Sequence, residues 1–281
     1  MSRIRLVTGV IIVCVLSALS LYRVPTTFNI SARTQVVDVV VGLTHRDVWF
    51  LNDSLIFRGF EGGKGEPFGG TLRVLPRTVV NVTRIGGGPL RLTCSAHDSE
   101  SPVVELQASG RTSQTVRGRL VIVVPHPNTN ADREEQPTVL PINGAITIGA
   151  EVTDAASEYP VLLLDGSVTM LAHTILGKLR YDAGRVALDL GDFIKLDTAA
   201  DGYGLLVIGP GGDLSAVFRV VARSLSVYRF GAEGYSFYAS PFTRIQKDPA
   251  IQAVWAATLL LFALWAKLEV RGKQGREHAT P

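Results

Sequence analysis

The sequence predicts a mainly β fold: an extracytoplasmic β-sandwich or barrel-like domain in two lobes, flanked by N- and C-terminal transmembrane helices. Three observations predict it. An apolar segment of membrane-crossing length lies near each end of the chain. Runs of β-branched residues, separated by glycine and proline, fill the region between them. The positive charge surplus gathers beside the apolar segments and not in that middle region.

The first apolar segment runs from Leu6 to Tyr22 and the second from Pro249 to Ala266, and neither contains a charge. A helix rises about 1.5 Å per residue, so a hydrocarbon core near 30 Å takes roughly 20 apolar residues, with about 17 as the lower bound. Arg3 and Arg5 precede the first segment; Lys267, Arg271, Lys273 and Arg276 follow the second. Basic residues beside membrane segments stay preferentially in the cytoplasm, which places both termini there and the intervening domain outside. A cleavable signal peptide is the alternative for the first segment. Against it, Leu19, Leu21, Tyr22 and Arg23 crowd the exit where small residues belong. A buried core helix is the alternative for the second, but that segment is apolar on all faces and leads into a basic tail.

The chain accordingly divides into a cytoplasmic stub and membrane helix (1–23), a first β lobe (24–124), a linker or long loop (125–137), a second β lobe (138–248), a membrane helix (249–266) and a basic tail (267–281). The whole chain carries +3, yet between Val24 and Asp248 there are 21 Lys and Arg against 23 Asp and Glu. The surplus therefore meets anionic lipid at the flanks. With no basic stripe to neutralise phosphates, nucleic acid is excluded as a partner. Cys14 lies within the first apolar segment and cannot pair with Cys94, whose setting between Leu90, Leu92 and further apolar residues fits a buried thiol. Without an internal disulfide the domain depends on its core, which about 225 residues can supply.

Strand signals begin with Thr34–Val41 and recur at Arg77–Thr83 and Arg119–Val124, all dense in residues branched at Cβ. Glycine clusters at 62–65, 69–70 and 86–88 read as breaks between them. Pro125–Pro137 lacks apolar periodicity and holds three prolines, hence the linker. Beyond it, Val161–Leu164 meets Asp165-Gly166, and Gly191-Asp192 separates Val186–Leu190 from Phe193–Leu196; both dipeptides read as turns. Val168, Leu171, Ala172, Ile175, Leu176 and Leu179 follow helical spacing and predict a short amphipathic helix. Leu214–Phe230 fits strand or helix. The aromatic run Tyr235–Phe242 fits either a membrane surface or the last strand of the core.

No catalytic, cofactor-binding or metal-binding residue emerges. The histidines show no HxH, HxxxH or HExxH spacing, and there is no CxxC. His97-Asp98-Ser99-Glu100 sets an imidazole beside carboxylates and a hydroxyl, but neighbours on an extended chain point to opposite faces, so a polar loop accounts for it better. His45-Arg46-Asp47 reads the same way, and His173 reads as structural. Gly62–Glu66 lacks the Ser or Thr and the spacing of a phosphate cradle, and no GxSxG elbow occurs. Asn29-Ile30-Ser31, Asn52-Asp53-Ser54 and Asn81-Val82-Thr83 match the glycan acceptor pattern. The two apolar segments carry no ionisable residue, so they do not make a transport path alone.

The expectation is a non-enzymatic, double-anchored protein of the cell envelope, set in a bacterial inner membrane. It needs no cofactor and acts as a structural or accessory subunit. Its partners are membrane lipid and a membrane or envelope protein. A glycan- or lipid-binding module is the alternative, with Trp49, Phe50, Phe57, Phe60 and Phe68 as contact candidates. A hydrolase of envelope polymers, centred on His97 and Asp98, ranks last.

Overall fold

The structure, a computed structural model, describes residues 26–43, 48–58, 64–96, 98, 100–108, 112–125, 138–150, 162–174, 179–196, 202–209, 213–229 and 234–277, the last stretch as backbone only at 266 and 268–277. The first apolar segment and positions 126–137 of the expected linker lie outside the described residues. The fold is mainly β. Among the described residues seventeen strands form one large antiparallel sheet, followed by two helices. The chain divides into two compact units: one holds residues 26–170 and 184–238, and the other takes its described residues from 171–183 and 239 onward.

In the larger unit the first strands are β1 (Thr26–Thr34), β2 (Val36–Val41), β3 (Val48–Arg58), β4 (Glu66–Val74), β5 (Val79–Thr83), β6 (Leu90–Ser95), β7 (Pro102–Ala108), β8 (Gln114–Arg117) and β9 (Arg119–Val124). The ladder runs β2–β5–β6–β9–β3–β4–β7–β8, every pairing antiparallel. A register shift between Leu51 and Ser54 bends β3, with Asp53 at φ 50°, so that its last residues pair β9 on one side and β4 on the other.

The remaining strands are β10 (Thr138–Ile148), β11 (Leu163–His173), β12 (Arg180–Leu188), β13 (Phe193–Lys195), β14 (Gly202–Ile208), β15 (Leu214–Ala222), β16 (Leu225–Tyr228) and β17 (Tyr235–Phe237). Here β10 pairs β14, β14 pairs β15, β15 pairs β1 and β1 pairs β11. The end of β10 also pairs β13, which leads through β16 to β17. The β2–β10 pairing joins the two ladders, so β1 and β2, separated only by Gln35, serve different ones.

Gly144 sits where β10 passes from β14 to β2, opposite both Gly202 and Val41. Its φ is 139°, and a Cβ there would run into the Val40 carbonyl oxygen and stand 2.7 Å from the Gly42 nitrogen. Only glycine fits. Period-two burial builds the core: Leu90, Leu92 and Cys94 of β6 face inward, as do Leu214, Ala216, Phe218 and Val220 of β15. Trp49 is 1% exposed and donates its indole N–H to the Pro141 carbonyl oxygen at 2.8 Å, fixing β3 to β10. Buried Arg84 donates to the carbonyl oxygens of Gly88 at 3.1 Å and Gly209 at 2.9 Å, tying the β5–β6 turn to the end of β14.

Several local expectations are corrected. The helical spacing through Val168, Leu171 and Ala172 is instead part of strand β11, in which Val168, Met170 and Ala172 alternate inward; pairing with β1 outweighs the helical pattern. Residues 175–178 of that expected helix lie outside the described residues. Asp165-Gly166 is no turn. It lies inside β11, where a Cβ at position 166 would stand 2.6 Å from the Ser31 carbonyl oxygen of the neighbouring strand. Gly69-Gly70 likewise runs through β4, because Gly70 lies against the backbone of Gln107 and Ala108. Gly191-Asp192 does turn the chain, with Gly191 at φ 83°. Leu214–Phe230 resolves into β15 and β16, and Tyr235–Phe237 is the last strand.

In the smaller unit, α1 (Pro241–Lys247) opens on Ser240, whose side chain accepts from the Thr243 N–H at 3.1 Å, and α2 (Pro249–Glu277) opens on Asp248, which accepts from the Ala250 N–H at 2.9 Å. Asp248 and Arg244 are buried. Beside them burial pushes the Tyr181 phenol above its ordinary pKa; Arg244 opposes this and Asp248 adds to it.

Candidate functional site

A groove of about 930 Å3 lies across β11, β1, β15, β14 and β10 of the larger unit, large enough to hold a sizeable ligand. Antiparallel register aligns its floor. Asn29, Arg219, Tyr203 and Asn143 fall in one cross-strand row, and Ser31, Val217, Leu205 and Pro141 in the next. Because side chains alternate along a strand, these odd-numbered positions share a face while Phe218, Leu206 and Ile142 point into the core. Tyr203 is 57% exposed, and Leu205 and Val217 beside it are about half exposed. On the core-facing side of the same strand, a Cβ at Gly204 would stand 2.7 Å from the Phe218 Cα and run into the Val217 carbonyl oxygen, so no side chain fits there.

Polar groups line one side. The Arg219 Nε–H donates to Asn29 Oδ1 at 3.0 Å. A smaller pocket of about 310 Å3 shares Ser31 and Ser167 with the groove, and there Arg185 Nη2 donates to Ser167 Oγ at 3.0 Å. Arg33, by contrast, is paired: it donates twice to Asp165 Oδ2, at 2.9 and 2.6 Å, and stands 3.8 Å from Asp213 Oδ2. That hydrogen bond raises the Arg33 pKa further. Among the described residues, the guanidinium groups of Arg219 and Arg185 are thus held by neutral oxygens and carry no carboxylate partner.

The residues singled out from sequence are placed differently. Trp49 and Phe68 belong to the core, Phe57 is half-buried, and Phe50 is 76% exposed on β3; Phe60 lies outside the described residues. Trp49, Phe50 and Phe57 sit on β3 and Phe68 on β4, strands that do not line the groove, so none of the four joins Tyr203 there. His45, His97 and His126 are outside the described residues. Asp98 serves its loop, accepting from the backbone N–H groups of Glu100 at 3.1 Å and Ser101 at 2.6 Å and from the Ser101 hydroxyl at 2.9 Å. His173 accepts from Arg180 Nε at 3.1 Å. Of the acceptor tripeptides, Asn29 belongs to the groove and Asn81 donates to Asp38 Oδ1 at 2.7 Å; burial pushes the Asp38 carboxyl up, partly offset by that bond. Cys94 is fully buried and its thiol is pushed up to about 12 by desolvation. No three His, Cys, Asp or Glu side chains gather as a metal site among the described residues.

The second apolar segment forms most of α2. No single helix among the described residues is long and apolar enough to cross a membrane; α1 and Pro249–Trp265 of α2 meet that length and composition together, bent by 73°. Fold and groove define a class: a mainly β protein with an open groove of mixed polar and apolar lining. Comparison with family models, curated proteins and solved structures returns no match to this chain, and no family is assigned.

Proposed function

We propose that the chain is a membrane-tethered accessory subunit of a cell-envelope assembly, an integral protein of a bacterial inner membrane. In this reading the termini are cytoplasmic, and the β body works outside as a sandwich or barrel-like module beside a membrane or envelope protein. One observation carries the tether. Leu259, Leu260, Leu261 and Phe262 are 64, 62, 59 and 42% exposed. Successive helical residues lie about 100° apart, so four of them span the whole circumference. A helix that shows bulky apolar side chains on every side is unfavourable in water at about 25 cal/mol per Å2, and lipid removes that cost. Val254, Leu264 and Trp265 extend the same exposure along the helix. Lys267 and the basic tail support the cytoplasmic assignment of the C-terminus.

The test is purification of the full-length tagged chain in mild detergent, with mass spectrometry of accompanying proteins and reciprocal tagging of each. A membrane or envelope protein at fixed stoichiometry is the expected result. A solitary chain under every mild condition contradicts the subunit reading. A second reading, a glycan-binding module, is favoured by the groove across β1, β10, β14 and β15.

A further inference from the structure

We infer that the groove across β1, β10, β14 and β15 is a binding site for an acidic oligosaccharide, with Arg219 as the anion anchor and Tyr203 as the stacking platform. The inference stands independently of the membrane tether. Arg219 is fixed by Asn29 Oδ1 at 3.0 Å, which orients its fork without neutralising it. Arg185, held by Ser167 Oγ at 3.0 Å in the adjoining pocket, offers a second guanidinium on the same terms. The nearby carboxylates of Asp165 and Asp213 are engaged with Arg33, so the five groups leave one net positive charge at this end. That balance favours a carboxylate- or phosphate-bearing ligand.

The rest of the lining favours a sugar over a simple anion or an acyl chain. Tyr203 neighbours Arg219 in register and is 57% exposed, so its ring face is open to the apolar face of a pyranose. Side-chain hydroxyls at Ser31, Ser167 and Thr169 stand along the groove to meet ligand hydroxyls. An acyl chain would call for an enclosed cavity, whereas this groove is open and carries polar side chains beside its apolar floor. At about 930 Å3 it accommodates several sugar rings and is too large for inorganic phosphate alone.

The test uses the full chain in a polyoxyethylene detergent, whose headgroup carries no sugar, and titrates it calorimetrically with oligogalacturonate and with its neutral methyl ester. The acidic form is expected to bind and the ester to bind at least about tenfold more weakly. Arg219→Gln is expected to lower affinity about tenfold or more, Arg219→Lys to restore part of it, and Tyr203→Ala to lower affinity for both forms. Arg73→Gln, on β4, is the control and leaves binding unchanged. Circular dichroism confirms that each variant folds. Equal binding of the ester, no binding of either form, or full affinity in Arg219→Gln overturns the assignment. So does binding of anionic detergent monomers at the same site with the same dependence on Arg219, since that would make the ligand an amphiphile.

Discussion

Replacing Leu259 and Leu261 with arginine separates a membrane helix from a water-exposed one. Both side chains stand mostly free of protein contact, at 64 and 59% exposure, and both lie near the middle of the apolar stretch. Arginine at the centre of a membrane helix costs about 2.5 to 3.5 kcal/mol, and the lost leucine adds about 0.3 to 0.6 kcal/mol. One substitution thus weakens insertion by about 3 to 4 kcal/mol, more than a hundredfold, and the pair by roughly twice that energy. On an exposed helix in water the same changes fall within about 0.5 kcal/mol, because leucine and arginine have similar helix propensities. The assay is flotation of carbonate-washed membranes, with the Leu259→Ile, Leu261→Ile pair as the apolar control. The double arginine variant is expected to lose lipid association through α2, read in a chain that begins at residue 24. If it floats as the parent does, the tether argument fails.

Further outcomes follow from the β body. Trp49→Ala is expected to destabilise by about 3 to 5 kcal/mol, with Trp49→Phe costing less but still leaving the Pro141 carbonyl without its donor; urea titrations followed by circular dichroism read both. Gly144→Ala is expected to cost about 2 kcal/mol or more, since backbone at Val40 and Gly42 must shift, and a neutral result would contradict the placement of β10 between its two ladders. Cys94 is expected to resist alkylation at pH 8 in the folded protein and to react once unfolded. Its folded pKa lies above the unfolded value, so its contribution is intact below about pH 9 and falls as pH rises toward about 12; a Cys94→Ala variant should lack that alkaline decline.

Much of the β architecture was legible because local pattern and tertiary role agree. Arg119–Val124 is dense in β-branched residues and is β9, and Gly191-Asp192 turns the chain as its residue types require. The failures share a cause. Val168 and Ala172 fit a period of 3.6 and, with Met170, a period of 2; only the neighbouring β1 decides between them. Gly166 and Gly70 resemble breaks, yet each is small because another strand's backbone passes against it. The groove was not legible at all. Its main row draws on residues 29, 143, 203 and 219 from four strands, and no local motif links them. The nearest available signal was the spacing Gly202-Tyr203-Gly204, a lone aromatic between two residues without side chains.

Topology tests the central claim most directly. In a background with Cys14→Ser, single cysteines at Phe50, 76% exposed on β3, and at Thr280 in the basic tail are treated with a membrane-impermeant maleimide in sealed spheroplasts. Buried Cys94 stays silent in both. The account predicts that Phe50→Cys labels in the sealed cells and that Thr280→Cys labels only after lysis. Labelling of Phe50→Cys only after lysis, or of Thr280→Cys before it, would contradict a β body held outside the membrane by its C-terminal helix.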